Sequence, residues 1–263
     1  QSFKKISIIG LGLIGTSILH AIKEKNNKEV ITYAYDINPS HRDIVLKMGI
    51  ATFVCDDIHD AIKEADLVIL AIPVGSMKIV ANSITSSLKE SAVVTDTGST
   101  KSSVIKDINP FIPKNVFFIP SHPLAGTEYS GPKSGFGSLF ENRYWLIISD
   151  QETNQTKNLA RFFQSFGSIV ETVSAEYHDK ILAITSHLPH LIAYTIVGTA
   201  SDLEVDLKND VIKFSASWFR DFTRIAASDP IMWRDVFLNN SEAVLEMLQR
   251  FNEDLSDLQK AIR

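Results

Sequence analysis

A short polar segment near the middle of the chain holds the residue types that could perform acid–base chemistry. Residues 121–131 read SHPLAGTEYSG and contain one imidazole, one carboxylate and several hydroxyl groups. A neutral imidazole such as His122 can accept a proton near pH 7. The glycines and Pro123 disfavour regular helix or strand, so we predict a loop with reactive side chains. The alternative is a surface turn with an incidental histidine.

A glycine-rich turn near the start of the chain could hold phosphate. Residues 10–15 read GLGLIG and lie between a predicted strand at 4–9 and a predicted helix at 16–25. In this strand–turn–helix context, the first glycine permits the tight turn and the second lets the backbone approach a pyrophosphate. The third allows the helix to pack closely on the strand. The candidate cofactor residues of the turn are Gly10, Gly12, Leu13, Ile14 and Gly15.

An acidic residue follows the second predicted strand at the spacing of a dinucleotide site. Asp36 ends the strand 30–35 and comes 21 residues after Gly15. A carboxylate at this point accepts hydrogen bonds from the adenosine ribose and repels a 2′-phosphate. The pattern therefore predicts NAD as the cofactor, although Arg42 is close enough in sequence to leave NADP open.

The first part of the chain alternates strands and helices. Such alternation, with apolar strands, predicts a doubly wound, Rossmann-type parallel sheet with helices on both faces, an α/β fold. Ligands bind beyond the carboxyl ends of such strands. Further predicted strands are 52–54, 67–72, 92–95 and 116–119, followed by 144–148 and an edge strand at 168–173. Candidates at strand ends are Ile72, Pro73 and Ser99; a strand stop for Pro73 and a helix cap for Ser99 are the alternatives.

From about residue 175 onward the pattern is helical, starting with a long predicted helix at 177–200. We therefore predict a dinucleotide-binding domain at 1–173 and an all-helical substrate and dimerisation domain at 174–263.

His187 and His190 share a helical face, but no Cys and no clear acidic ligand completes a metal set, so we predict no metal. Arg220 and Arg224 also share a face and suit carboxylates, with two solvated arginines as the alternative.

Composition excludes several classes of protein. The net charge of −5 disfavours a nucleic-acid surface, which needs a basic patch. Apolar runs such as 67–72 are too short to cross a bilayer, so we predict neither a transmembrane helix nor a membrane partner. The first strand starts close to Gln1, so we expect no signal peptide. Cys55 is the sole cysteine, which rules out an internal disulfide and suits a reducing cytoplasm.

These motifs together resemble the prephenate dehydrogenases, or more broadly the cyclohexadienyl dehydrogenases of tyrosine biosynthesis. The resemblance covers nearly the whole chain, with its motifs in order: GLGLIG at 10–15, DTGS at 96–99, HPLAGTE at 122–128, HLPH at 187–190, FTR at 222–224 and DPIMWR at 229–234. It implies a nucleotide-binding domain followed by a helical domain through which two subunits pair. It also implies NAD-dependent oxidative decarboxylation of prephenate to 4-hydroxyphenylpyruvate, or of arogenate to tyrosine.

The same resemblance implies roles for individual residues. His122 matches the catalytic histidine that accepts a hydrogen bond or proton from the ring hydroxyl, and Ser99 matches the serine that positions it. Arg224 matches the arginine that binds a substrate carboxylate, assisted by Arg220, which the partner subunit could supply. His190, Thr127 and Glu128 match residues around the substrate side chain, and Asp179 matches an acid that pairs with the arginine near the entrance.

Three other functions remain open from the sequence. The first is a preference for arogenate or for both substrates, because prephenate and arogenate differ only in a keto or an amino group. The second is another two-domain NAD dehydrogenase with a catalytic lysine, for which Lys180 lacks the usual glycine-rich context. The third is a non-catalytic dinucleotide-binding regulator, which the presence of His122, Ser99 and Arg224 together disfavours.

Overall fold

The chain divides into two compact units. They are Gln1–His178 and Asp179–Arg263, and the computed structural model describes residues 3–25, 29–203 and 205–263. The domain boundary predicted between residues 173 and 174 stays a prediction.

A six-stranded parallel sheet forms the centre of the first unit. Its strand order is β3-β2-β1-β4-β5-β6, with every neighbouring pair parallel. The central strands are almost entirely buried because helices cover both faces of a parallel sheet. The doubly wound fold predicted from the sequence is confirmed. The strands are β1 (Lys5–Ile9), β2 (Ile31–Tyr35), β3 (Phe53–Val54), β4 (Leu67–Leu70), β5 (Val93–Asp96) and β6 (Phe117–Phe118).

Helices connect these strands as the alternation predicts. Asn38 caps α2 by accepting from Ser40 N, Pro39 occupies its first turn, and Gly49 ends it in the left-handed conformation. The helices of this part are α1 (Leu13–Glu24), α2 (Pro39–Met48), α3 (Ile58–Ile62), α4 (Met77–Ile84) and α5 (Ser102–Ile108).

A second, three-stranded sheet completes the first unit. It consists of β7 (Ser121–Pro123), β8 (Tyr144–Ile148) and β9 (Ile169–Val173), with β7 antiparallel and β9 parallel to β8. The prediction of a loop for the whole of 121–131 is therefore wrong for its first three residues. Pro123 is tolerated because β7 is an edge strand that ends at this residue. His122 lies opposite Leu146 in the register.

An aromatic core fixes this second sheet on its helix. The indole of Trp145 on β8 stacks on Phe163 of α6 (Asn154–Gln164), with ring centroids 3.8 Å apart. Thr153 and Thr156 form a capping box that fixes the start of α6. Trp145 and Phe163 are fully buried, so β8 is a rigid support for β7.

The regular structure of the second unit, over its described residues 179–203 and 205–263, is helical. The helix predicted at 177–200 is interrupted, because a π-helical turn at Ala183–His187 separates two α-helices. Proline at the start of the later helix removes a backbone donor next to this turn. The α-helices from residue 175 onward are α7 (Ala175–Leu182), α8 (Leu188–Ser201), α9 (Val205–Phe214), α10 (Ser217–Thr223), α11 (Pro230–Asn239) and α12 (Ser241–Ile262). The first four residues of α7 belong to the first unit.

One helical segment departs from the expectation of no membrane-spanning helix. Among the described residues, Ala175–Ser201 is long and apolar enough to cross a bilayer, with a mean hydropathy of 1.4 over its 18-residue window. The core helix of a soluble protein passes the same test, so length and hydropathy do not by themselves place it in a membrane. In the single chain, 28% of this window is buried.

Candidate active site

The glycine turn has the close contacts that require glycine at two of its three positions. Gly10 has a φ of +98°, and a Cβ there would lie 2.2 Å from the Ala71 carbonyl oxygen. A Cβ on Gly15 would lie 1.9 Å from the Gly10 carbonyl oxygen. Gly12 is different, because a Cβ there meets nothing within 4 Å. Open space therefore lies beside Gly12, where Leu13 and Ile14 begin α1, and it suits a pyrophosphate at the helix N-terminus.

Asp36 is held at the end of β2 by the glycine turn itself. Its Oδ2 accepts from Leu11 N at 2.7 Å, and its Oδ1 accepts from Asn38 N at 2.8 Å. These backbone donors fix the carboxylate at the carboxyl edge of the sheet, where a ribose would lie. The residues present therefore fit a dinucleotide.

Two basic side chains lie next to Asp36. His41 Nδ1 is 3.3 Å from Asp36 Oδ2, and Arg42 donates from Nη1 to the Asp36 carbonyl oxygen at 2.8 Å. Arg42 also lies 3.4 Å from a carboxylate oxygen of Asp56. Arg42 is thus engaged by the Asp36 carbonyl oxygen and by the Asp56 carboxylate.

The candidates at the ends of β4 and β5 lie where the sheet predicts. Ile72 is half-buried beside the turn, with its Cγ2 3.0 Å from a Cβ placed on Gly10, and Pro73 is exposed. Ser99 is half-buried in the loop after β5. The helix α5 starts only at Ser102 and has Lys101 as its N-cap residue. Ser99 is therefore not the cap of this helix.

A buried ion pair lies between the ends of β5 and β7. Lys101 and Asp96 are both fully buried, and Lys101 Nζ donates to Asp96 Oδ2 and, at 2.6 Å, to the Ser121 carbonyl oxygen. Asp96 Oδ2 also accepts from Gly98 N at 2.8 Å. The pair thus links the Ser99 loop to the strand that carries His122. Sequence reasoning assigned it no role, although both residues stand in the 96–101 segment.

Ser121 extends this network under the second sheet. Its hydroxyl donates to the Asp96 carbonyl oxygen at 2.8 Å, lies 2.9 Å from the Thr95 hydroxyl and accepts from Trp145 Nε1 at 3.0 Å. Each of these groups is buried, so the hydrogen bonds face little competition from water. The backbone next to His122 is therefore held in one position.

His122 itself is buried and contacts a second histidine. It is 8% exposed, and its Nδ1 lies 2.8 Å from Nε2 of His178, which is fully buried. Since Nδ1 is engaged in this hydrogen bond, Nε2 is the nitrogen of His122 that can exchange a proton with a substrate. Sequence reasoning missed His178, which is 56 residues away and carries no local motif.

The segment after His122 is anchored on the cofactor helix. Thr127 and Glu128 are exposed, and Thr127 Oγ1 accepts from Tyr129 N at 3.2 Å. Further on, a Cβ on Gly135 would lie 2.1 Å from Thr16 Oγ1 of α1, and Phe136 N donates to Ser17 Oγ at 3.1 Å. Both ends of the loop that carries Thr127 and Glu128 are thus fixed, by β7 and by α1.

Four of the predicted substrate residues belong to the second unit. The His190 ring stacks on Trp233 with centroids 3.5 Å apart, and its Nδ1 donates to the Ser186 carbonyl oxygen at 2.8 Å. Burial lowers the pKa of His190, and the hydrogen bond to Ser186 opposes that shift. His190 is therefore a neutral ring with its proton on Nδ1, which makes Nε2 an acceptor.

The other three residues of this unit differ in exposure. Asp179 is buried, and its carbonyl oxygen accepts from Asn240 Nδ2 at 2.9 Å. Arg220 and Arg224 are both exposed. The helix α10 ends at Thr223, and its C-cap residue Arg224 keeps right-handed helical dihedrals and opens a 3-10 turn. The shared face of Arg220 and Arg224 stays a prediction.

Comparison with known proteins identifies the family of this chain. Residues 19–172 match a family model described as prephenate dehydrogenase, nucleotide-binding domain. Residues 174–263 match one described as prephenate dehydrogenase, dimerization domain. The chain belongs to the prephenate dehydrogenase family. It is an oxidoreductase with a Rossmann-type nucleotide-binding domain, and its cofactor is NAD, as its turn and Asp36 indicate.

Individual relatives of this family resemble the chain over nearly its whole length. A cyclohexadienyl dehydrogenase from Zymomonas mobilis is 42% identical over 99% of this chain and 89% of its own. A prephenate dehydrogenase from Bacillus subtilis is 33% identical over 97% of this chain and 68% of its own. The crystal structure of prephenate dehydrogenase from Aquifex aeolicus, in complex with hydroxyphenyl propionate and NAD+, superimposes with a TM-score of 0.90. It is 32% identical and covers 100% of this chain and 91% of its own.

Within the described residues, no group of three or more histidine, cysteine or acidic side chains is placed to hold a metal ion. His187 and His190 also make separate contacts, since His187 Nδ1 lies 3.1 Å from Asn240 Nδ2 whereas His190 Nδ1 bonds Ser186.

Proposed function

We propose that this chain catalyses the NAD-dependent oxidative decarboxylation of prephenate to 4-hydroxyphenylpyruvate in tyrosine biosynthesis. The observation that carries the proposal is the buried imidazole of His122, held on β7 beside the Ser99 loop in a chain of the prephenate dehydrogenase family. A cytoplasmic location fits such a biosynthetic enzyme and the single cysteine. Arogenate is the second candidate substrate, because the relative from Zymomonas mobilis is named a cyclohexadienyl dehydrogenase.

The reaction requires a base that can also return a proton. Bound NAD+ supplies the acceptor for the hydride that leaves C4 of the ring. Nε2 of His122 takes the proton of the C4 hydroxyl as that carbon becomes a carbonyl. The bond from C1 to its carboxylate then breaks, CO2 leaves, and the electron pair makes the ring aromatic. The product is a phenol at neutral pH, so His122 gives the proton back to the phenolate oxygen.

The remaining residues bind and orient in this proposal. Ser99 positions His122 and the C4 hydroxyl, and Arg224, assisted by Arg220, binds a substrate carboxylate. His190, with its Nε2 as an acceptor, contributes to binding the substrate side chain, and so do Thr127 and Glu128. Asp179 pairs with the arginine near the entrance. The ring carboxylate should be bound only moderately tightly, because it departs as neutral CO2 and strong stabilisation of its charge would oppose decarboxylation.

The substrate is tested with four pairs of reactants. Formation of reduced cofactor is measured with prephenate and with arogenate, each in the presence of NAD+ and of NADP+. We expect the highest kcat/KM with prephenate and NAD+. NAD+ is expected over NADP+ because a carboxylate at the position of Asp36 would accept from the ribose hydroxyls and repel a 2′-phosphate. Turnover of arogenate alone would replace prephenate as the substrate, and no turnover with either would reject the proposed reaction.

The role of His122 is tested by substitution with asparagine. We expect His122→Asn to lower kcat by about 10²- to 10⁴-fold, because the amide cannot take the proton, with little change in the KM for prephenate. Steady-state rates measured over a range of prephenate concentrations at saturating NAD+ report kcat and the KM for prephenate separately. His59→Asn is the control, since His59 is exposed and bonds Ser87 Oγ in another part of the unit. An unchanged kcat in His122→Asn would remove His122 from catalysis.

A further inference from the structure

A second buried histidine contacts the proposed base at hydrogen-bond distance. His178 is fully buried on α7, and its Nε2 lies 2.8 Å from Nδ1 of His122. The two rings are 5.1 Å apart between centroids and tilted by 64°, an edge-on arrangement that directs one nitrogen of each ring toward the other. None of the roles proposed above includes His178.

The chemistry of imidazole restricts the protons in such a pair. Of two nitrogens that share a hydrogen bond, one donates and the other accepts. A base at Nε2 of His122 requires that nitrogen to be unprotonated, so the proton of the neutral ring is on Nδ1. Nδ1 then donates to His178, and Nε2 of His178 accepts. His178 carries its own proton on its Nδ1.

We propose that His178 is a positioning residue for the reaction: it selects the tautomer of His122 that leaves Nε2 as the base, and it fixes the plane of the ring. The inference rests on the proposed role of His122 as the base. When His122 takes a proton, Nδ1 becomes a charged donor to a neutral acceptor, and such charge-assisted hydrogen bonds are stronger than neutral ones. A partner that orients a base through its second nitrogen is a general feature of histidine sites.

Rigid surroundings make this orientation effective. His122 is held from the strand side by the hydrogen bonds of Ser121 to Thr95, Asp96 and Trp145. These contacts fix the backbone but leave rotation of the imidazole about its side-chain bonds undetermined. The hydrogen bond to His178 supplies that constraint. Loss of the constraint should reduce the fraction of rings able to react and leave the binding of NAD+ unaffected.

Two substitutions of His178 separate positioning from packing. His178→Leu fills the space but removes the acceptor, whereas His178→Gln places an amide oxygen about where Nε2 lay. We expect His178→Leu to lower kcat by roughly 10- to 100-fold, with the KM for prephenate changed by less than about two-fold. His178→Gln should recover most of that loss. His59→Leu removes a hydrogen-bonded histidine elsewhere and should leave kcat unchanged. A normal kcat in His178→Leu, or equal rates in the leucine and glutamine variants, would overturn the proposal.

A measurement on the unmodified protein decides the proposal even where a variant fails to fold. The chain has seven histidines, so selective ¹⁵N labelling of histidine resolves each ring by nuclear magnetic resonance, with His122→Asn and His178→Gln for assignment. Both rings are expected to carry their proton on Nδ1 when neutral, and the Nδ1 proton of His122 should couple to Nε2 of His178. A proton on Nε2 of neutral His122 would refute the proposed tautomer. Absence of prephenate oxidation by the unmodified chain would instead reject the proposed reaction, and the labelled spectra would still report the tautomers.

Discussion

At the scale of single residues, the site is built on charges and hydrogen bonds that water does not reach. Lys101 and Asp96 pair without exposure, and the same lysine holds the Ser121 carbonyl oxygen at 2.6 Å. A buried ion pair adds little net stability by itself, because desolvation offsets the attraction. Its value here is positional, since it connects the loop of Ser99 with the strand of His122.

Substitution of one partner of this pair should lower the free energy of unfolding much more than replacement of both partners. We expect Lys101→Met to lower the free energy of unfolding by about 3–5 kcal/mol, because the Asp96 carboxylate is left buried without its cation. The double variant Asp96→Asn, Lys101→Met should be more stable than Lys101→Met. Urea denaturation measures both.

An exposed ion pair provides the matched control for this experiment. Lys5 contacts Glu64 at 2.9 Å on the surface, so Lys5→Met should change stability little. The single variant Asp96→Asn completes the comparison. If the double variant loses as much stability as Lys101→Met and Asp96→Asn summed, Asp96 and Lys101 are not energetically coupled.

At the scale of elements, the glycines in the turn between β1 and α1 have two different roles, backbone packing and space for a ligand. Gly10 and Gly15 are required by backbone contacts within the fold, whereas Gly12 borders open space. The carboxyl ends of β1 and β2 then bring this turn together with Asp36, which accepts from Leu11 N. One turn therefore serves both the packing of the sheet and the binding of the nucleotide.

Two alanine substitutions distinguish these uses. Gly15→Ala should prevent normal folding, because its Cβ would lie 1.9 Å from the Gly10 carbonyl oxygen and backbone cannot move away easily. Gly12→Ala should fold with a nearly unchanged Tm but weaken NAD+ binding by roughly ten-fold or more, since the methyl group occupies the space for pyrophosphate. Thermal unfolding and calorimetric titration with NAD+ measure the two properties. An unchanged Kd in Gly12→Ala would show that the nucleotide does not approach this glycine.

At the scale of the whole molecule, the second unit exposes large apolar side chains. Trp218 is 86% exposed and Phe214 is 70% exposed, on consecutive helices of that unit. Exposed apolar surface of large extent commonly marks an interaction site on a soluble protein. Together with the match to a dimerization domain, this exposure supports the proposal that two copies of the chain pair through the helical unit.

The oligomeric state of the protein in solution tests the proposed pairing of two chains. Size-exclusion chromatography with light scattering should give twice the mass of one chain in buffer without detergent, because pairing covers apolar helix surface. Trp218→Glu should shift the protein toward monomer. Ile79→Glu, at a side chain of the first unit that is 75% exposed, should not. A monomeric unmodified protein would contradict the proposed dimer, and a requirement for detergent would instead favour a membrane role for Ala175–Ser201.

The sequence alone determined the features whose chemistry is contained in contiguous residues. The glycine turn, the acid at the end of β2 and the alternation of strands and helices follow from local spacing, because backbone geometry sets which side chains share a turn or a sheet edge. The doubly wound sheet and the family are confirmed on this basis. Pro189 indicates a kink in the long helix, but the π-helical turn at Ala183–His187 has no comparable sequence pattern and is not predicted.

Only the tertiary structure decided what surrounds the proposed base. Residues 121–123 have loop-like composition, yet they form a strand because β8 offers its edge and an aromatic core supports it. Lysine is a residue type usually found on protein surfaces, yet Lys101 is fully buried beside Asp96. His178 meets His122 across 56 residues of sequence, a separation at which no local pattern carries information. Contacts of this kind are set by how whole elements pack, so they are read from the fold.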